Sequence, residues 1–384
     1  MRTNLQPMLI AKMVLTLAQL AIVGRLLFSA LQRIPRDVPA ASDADRQTAM
    51  TVIIPVYNEQ SRLAPCLEGV LRFSHLVQEI LVVDTGSTDR TCALAQSYAV
   101  RDQRIRVVSA GDPPHGWNGK SWGIVHGIKL ASPESEWILL LDADVRPSPT
   151  LPDRLLAACE ELGVRCASVA LLQAPAADPL SWLLHPAMLT SLVYRVGLPG
   201  QIARSPDQVF ANGQALILHR HLLAALDNGR RVAFANAEDL ALARALSAMG
   251  EPIAFLDALD DSFVTMYPEG RQVWTSWPRS LHLKESRGNF AVVLDLALLT
   301  VTQGAWLPLC LISLRSPTLR LPAFLSAAVR LGILAGMQRA YRWHSWWYWL
   351  SPAVDVFVVA RIIQAATVQR PVWRGRTIGQ GGQP

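Results

Sequence analysis

Four short apolar runs constrain the fold of this chain more than any other feature: MTVIIPV (50–56), EILVVD (79–84), IRVVSA (105–110) and WILLLD (137–142). Helical stretches such as TDRTCALAQSYA separate them. Strands buried on both faces read in this way, as unbroken apolar runs joined by helical crossovers, because the connecting helices cover a parallel sheet. The alternation continues from residue 50 to about 260. The expectation is an α/β domain with a mostly parallel, Rossmann-like sheet flanked by helices. Such sheets bind ligands in the crevice beyond the carboxyl ends of their strands. Those ends read Tyr57-Asn58-Glu59, Asp84-Thr85-Gly86 and Asp142-Ala143-Asp144, so the chemistry gathers on one rim.

The two ends of the chain follow a different pattern. Residues 8–31 are apolar apart from Lys12, Gln19 and Arg25, and read as a membrane helix, with a cleaved signal peptide as the alternative. Residues 290–314, 319–338 and 346–368 approach the ~20 residues that a crossing requires. Asp295, Arg330, Asp355 and Arg361 interrupt them, and each costs ~2.5–3.5 kcal/mol at a bilayer centre. Near the ends these charges can snorkel, which leaves one of the three stretches lying in the interface. Trp343, Trp346, Trp347 and Trp349 form an aromatic belt at the water boundary. Arg25 lies in the second half of the first helix and Arg33 and Arg36 follow it, so the positive-inside rule places the next domain in the cytosol. The reading is a multi-pass inner-membrane protein with its catalytic domain on the cytoplasmic face. Three crossings at the C-terminal end would export the arginine-rich tail, so two are expected there. The chain divides into an N-terminal helix and linker (1–49), the α/β domain (50–288) and C-terminal membrane helices with a basic tail (289–384). Within the α/β part, residues 180–198 are an apolar island, either a buried helix or an interfacial one.

Composition supports this division. Hydrophobic residues make up 51% and charged residues 17%, too apolar for an ordinary soluble enzyme. The net charge of +6 comes from the ends: residues 315–384 carry nine arginines against Asp355 alone, whereas residues 51–314 hold 21 basic and 26 acidic side chains. A mildly acidic middle excludes nucleic acid as the partner, since that needs a basic face on the folded domain. The five cysteines show no CxxC and no zinc spacing, and read as small buried hydrophobes in a reducing compartment.

The rim residues suggest a specific chemistry. Asp142 and Asp144 are carboxylates one residue apart at a strand end, where like charges repel unless a cation or donors stabilise them. Hard oxygen ligands of this kind suit Mg2+ or Mn2+. An isolated DxD is weak evidence, because aspartates often cap a following helix. PVYNE (55–59) and VVDTGSTDRT (82–91) add Glu59 and Asp84, the latter placed to hydrogen-bond a base or ribose, while Ser87, Thr88 and Asp89 suit a helix cap. In HGWNGKSWG (115–123), Asn118-Gly119 makes a turn that presents Lys120 to a phosphate-bearing donor. Glu238 and Asp239 open an amphipathic helix, where acids favour the helix dipole or serve to deprotonate a hydroxyl.

Together PVYNE, DTGSTD, GK, DAD, ANGQALILHR and AED resemble, in order, the family 2 glycosyltransferases with the GT-A fold. The resemblance covers residues 50–260. It implies a nucleotide-sugar donor, a UDP-sugar first among them, with a divalent metal and an inverting single displacement. By position it implies that Pro55, Glu59 and Asp84 lie at the nucleoside and Lys120 at the donor. Asp142 would approach the ribose or diphosphate and share the metal with Asp144. Asp239 would be the base, with Glu238 beside it. The family often has Asp-Asp where this chain has Asp84-Thr85. GWNGKSW is similar to the loop of membrane-bound glycosyltransferases of hopanoid and carotenoid pathways, in which Trp117 and Trp122 either wall the site or pack the loop. The QxxRW of processive synthases is absent from YPEGRQVWTSWPRSL, which favours single transfer, with a lipid acceptor and the membrane as partners. A polysaccharide or polyprenyl-phosphate glycosyltransferase and a catalytically idle membrane scaffold are the alternatives.

Overall fold

The computed structural model describes residues 5–34, 48–115, 117–223, 238–258, 260–281, 289–367, 372–373 and 376–377. Most of the expected linker and the basic tail lie outside these residues. The chain forms two compact units. One comprises Ile34–Gln173, Pro199–Met266 and Arg370–Pro384, and the other Met1–Arg33, Ala174–Leu198 and Tyr267–Gln369.

The first unit is α/β. Its strands are β1 (Met50–Val56), β2 (Val77–Asp84), β3 (Ile105–Ser109), β4 (Trp137–Leu141), β5 (Val145–Arg146), β6 (Cys166–Val169), β7 (Leu172–Gln173), β8 (Gln201–Ala203), β9 (Ala215–His219), β10 (Ile253–Leu256) and β11 (Phe263–Val264). Eight of them form one sheet in the order β3-β2-β1-β4-β9-β6-β10-β8, while β5, β11 and β7 form a small second sheet. β3, β2, β1 and β4 run parallel. β9 is antiparallel to β4 and β6, and β8 to β10. The four apolar runs thus fall on the four parallel strands. In register, Val56 pairs with Asp84 and Ile53 with Leu140, so the ends of β1, β2 and β4 reach one rim.

The helix Gly119–Leu130 overturns one expectation. Asn118-Gly119 makes no turn of a loop. Asn118 is the N-cap, its side chain accepting a hydrogen bond from Lys120 N at 2.9 Å, and Lys120 sits in the first helical turn. Glycines on one face explain why this helix lies close to the sheet. A Cβ at Gly127 would come 2.6 Å from Ile53 Cγ2 and 3.0 Å from Val83 Cγ2. One at Gly123 would come 3.0 Å from Thr85 Cγ2 and 3.1 Å from Pro55 Cβ. Alanine at an open helical site gains roughly 1 kcal/mol over glycine. Against two branched core side chains, overpacking costs ~1–3 kcal/mol, so the sign reverses. Gly127→Ala is expected to lower the unfolding temperature of this unit. An unchanged or raised midpoint would contradict the close approach.

The second unit is helical. Among the described residues, three of its helices are long and apolar enough to cross a membrane: Leu9–Leu31, Pro317–Ala340 and Trp346–Thr367. The stretch expected at 290–314 is a pair, Phe290–Gly304 and Trp306–Ser313, bent by 48° at its break. Trp343, Trp346 and Trp349 are exposed. The apolar island is the helix Pro179–Val196, largely buried within this unit.

Charges near the ends of these segments can snorkel, but most of those inside them pair instead. Arg330 and Asp355 are both fully buried, with Nε to Oδ2 at 2.6 Å and Nη2 to Oδ1 at 3.2 Å. Gln303 Nε2 and Trp306 Nε1 also donate to Asp355, at 2.8 and 2.9 Å. Arg195 pairs with Asp295 at 3.4 Å, and Arg25 donates to the carbonyls of Tyr194 and Arg195 at the end of a helix. A charge pointing into a bundle meets partners that lipid cannot offer, which is why sequence position along a span predicts its fate poorly.

Candidate active site

Two loops at the ends of β1 and β2 are stitched together. Asn58 has a left-handed backbone (φ 52°), and its Oδ1 accepts hydrogen bonds from Thr88 N at 2.9 Å and Asp89 N at 3.4 Å. Asn58 N donates in return to Ser87 Oγ at 2.9 Å, and Glu59 N to Thr91 Oγ1 at 2.8 Å. Asp84 is buried, and its carboxylate accepts from Gly86 N and Ser87 N at 3.1 Å. The φ of +89° at Gly86 lets the chain close that turn. Asp84 therefore holds the loop's shape. Thr85, at the departure from Asp-Asp, is buried beneath the helix Gly119–Leu130.

The other candidates converge. Lys120 Nζ lies 2.7 Å from Asp142 Oδ1 and 2.6 Å from Glu238 Oε1. Gly213, in the ANGQ segment, makes room for this: a Cβ there would sit 3.0 Å from both Asp239 Oδ2 and Lys120 Nζ. The glycine thus brings the helix starting at Glu238 against the rim. Lys120, placed by the resemblance at the donor, is here surrounded by Asp142, Glu238 and Asp239. Burial pulls its pKa down, but the three carboxylates outweigh burial and raise it well above the usual value.

Two arginines were missed in the sequence. Arg62 Nε bonds Glu59 Oε2 at 2.9 Å, and its Nη1 lies 3.7 Å from Asp144 Oδ2 and 3.0 Å from Met266 O. It joins the ends of β1 and β4. Arg146, two residues after Asp144, adds a second positive charge near that carboxylate. The available signal was spacing alone, three residues after Glu59 in one case and two after Asp144 in the other.

Burial dominates the electrostatics. It pushes Glu59 up to about 7, with Arg62 opposing and Asp142 reinforcing. Asp142 rises to about 7, burial outweighing Lys120. Asp144 reaches about 6 against Arg62, and Asp239 about 7, with Glu238 reinforcing burial and Lys120 opposing. Carboxylates outnumber cations here, Glu59, Asp142, Asp144, Glu238 and Asp239 against Arg62, Lys120 and Arg146. Among the described residues, Asp144 Oδ1 is buried without a hydrogen-bond partner. Such a site attracts a further cation.

A cavity of about 390 Å³ opens beside this cluster. Lys120, Asp142, Glu238 and Asp239 lie at its polar end, with Pro55 in its wall, and the remainder is mostly aliphatic. Trp117 and Trp122 stay out of it. They stack edge to face at 5.3 Å, and Trp122 Nε1 donates to Ala110 O at 2.9 Å, so they pack the loop. Cys66, Cys159 and Cys166 are buried, and all five cysteines are unpaired thiols.

Comparison with known proteins identifies the family of part of the chain. Residues 51–211 match the family described as Glycosyl transferase family 2. These residues are a family 2 glycosyltransferase domain. The chain is 34% identical over 98 residues to 4,4'-diaponeurosporenoate glycosyltransferase of Staphylococcus aureus, covering 25% of this chain and 24% of the relative. To the uncharacterized glycosyltransferase EpsJ of Bacillus subtilis it is 31% identical over 112 residues, or 29% of this chain and 30% of that one. Each match thus spans less than a third of the relative's length. Among solved structures, the mannosyltransferase PcManGT of Pyrobaculum calidifontis aligns over 94% of this chain and 97% of its own, with a TM-score of 0.53 and 17% identity. That likeness concerns the fold, which is GT-A.

Proposed function

We propose that this glycosyltransferase moves a sugar from a nucleotide-sugar donor, with a UDP-sugar the first to test, to the hydroxyl of a lipid, and that it works while fastened to a membrane by its apolar helices. The observation that carries this reading is the convergence of Asp239, Lys120 and Asp142 at the polar end of an aliphatic cavity. One named relative, 4,4'-diaponeurosporenoate glycosyltransferase, supports a carotenoid-like acceptor, while a hopanoid-like one rests on the resemblance of the GWNGKSW loop alone. PcManGT was solved in complex with GDP-Man and Mn2+.

In this reading Asp239 accepts the proton of the acceptor hydroxyl. The oxygen forms its bond to the anomeric carbon from the face opposite the diphosphate. The bond from that carbon to the diphosphate oxygen breaks, and the diphosphate leaves with the electron pair toward Lys120. Glu238 and Asp142 keep the lysine ammonium charged and fixed. Glu59 and Pro55 border the donor side of the rim, and Asp84 shapes the turn beside them. Among the described residues, no three His, Cys, Asp or Glu side chains gather around one point as a metal cage. Mg2+ is usually held by one or two carboxylates plus substrate phosphate and water, so the residues present fit such an ion. Asp144, through its unpartnered Oδ1, and Asp142 would hold it. When bound it supplies positive charge for the diphosphate.

The test is calorimetric. With UDP-sugars or GDP-mannose as probes, binding should strengthen when Mn2+ is added and lose that gain in Asp144→Ala. Equal affinity with and without the ion would reject the assignment. The pH dependence follows from Asp239. A base must be ionised, so activity is present above its pKa of about 7 and is lost as pH falls through it. Turnover at saturating substrates should drop roughly tenfold per unit below that point. A flat profile down to pH 5 would require another base.

A further inference from the structure

We infer that the cavity beside the carboxylate cluster receives the apolar body of the acceptor alcohol, with its hydroxyl directed to Asp239; this rests on the lipid-transfer reading. Ile124, Val125 and Ile128 come from one face of the helix Gly119–Leu130, while Leu140 and Leu216 come from the sheet and Leu242 from the helix that begins at Glu238. These side chains surround about 390 Å³, within the range of small-ligand sites. The wall contains Glu238 and Asp239 but none of Glu59, Asp84 or Asp144. Pro55, Lys120 and Asp142 also line it, so the aliphatic space opens at one end onto both the proposed base and the donor-side residues, within reach of a hydroxyl held in it.

The lining selects the chemistry of the ligand. A sugar acceptor would place several hydroxyls against aliphatic walls and leave them without partners. Water is poorly held there for the same reason. Arg220, Lys129 and His221 also line the space; the Arg220 guanidinium is committed to the carbonyls of Ala131, Ser132 and Ser135, while Lys129 and His221 are exposed residues. Ser121 is fully buried in the wall, and its Oγ has no hydrogen-bond partner among the described residues. One free hydroxyl beside aliphatic walls suits a ligand with a single oxygen at the end of a hydrocarbon.

The experiment uses the full chain in phosphatidylcholine nanodiscs and a diazirine-bearing octadecanol as probe, without donor. After irradiation and proteolysis, label is expected on peptides containing Ile124–Ile128 and Leu242. Ile128→Trp, which fills the space, should reduce that label by about tenfold or more while sparing the label on Leu9–Leu31. Nucleotide binding shows that the variant is folded, and Leu242→Phe replaces it if binding is lost. Label confined to the membrane-type helices, or cavity label unaffected by the filling variant, would overturn the assignment. Labelling requires no turnover, so a failure of lipid transfer is read separately from a failure of this site.

Discussion

The Asp239→Asn enzyme is expected to bind nucleotide sugar with unchanged affinity and to transfer it ~10²–10⁴ times more slowly. The substitution keeps the shape of the side chain and removes its capacity to hold a proton. It also removes a negative charge from a region where carboxylates already exceed cations, so the fold should be no less stable. Lys120 keeps Asp142 and Glu238 as partners, at 2.7 and 2.6 Å. Slow transfer with intact binding would place Asp239 at the proton. A parallel loss of nucleotide affinity would make it a donor-site residue, and full activity would remove it from the mechanism.

The second large effect concerns stability of the helical unit. Arg330→Met alone leaves Asp355 buried with Gln303 and Trp306 as its side-chain donors among the described residues. Removing one member of a buried ion pair typically costs ~3–5 kcal/mol, because the remaining charge is stranded. The double variant Arg330→Met with Asp355→Leu removes the stranded charge and should recover most of that loss, since apolar replacement of a whole pair is often neutral or better. Thermal unfolding of the three proteins in one detergent reads both effects. Equal destabilisation in the single and double variants would mean that the pair is not a coupled unit.

Much of the fold could be read from the sequence because it is written in local chemistry. Continuous apolar runs ending in Glu59, Asp84 and Asp142 mark parallel strands whose ends share a rim, and that rim is where the sheet puts them. Asn118-Gly119 was harder. The pair favours a turn, but Asn is also an N-cap, and only the packing of Gly123 and Gly127 on β1 and β2 decides for a helix. Arg62 escaped because nothing local marks an arginine that reaches between two strand ends. The charges within the apolar helices escaped for a related reason: whether Arg330 snorkels or pairs depends on where Asp355 lies, and the bundle sets that. Asp84 shows a related case: its carboxylate also accepts hydrogen bonds from Gly86 N and Ser87 N, a structural duty that its position at a strand end does not reveal.

The most direct measurement is transfer itself. The detergent-purified protein, with Mg2+ or Mn2+, a panel of labelled nucleotide sugars and a membrane lipid extract, is compared with Asp239→Asn. Label moving into an organic-extractable lipid of single added sugar, and lost in the variant, is the predicted result. Label in a polymer, or tight nucleotide binding without any transfer, would contradict lipid glycosylation.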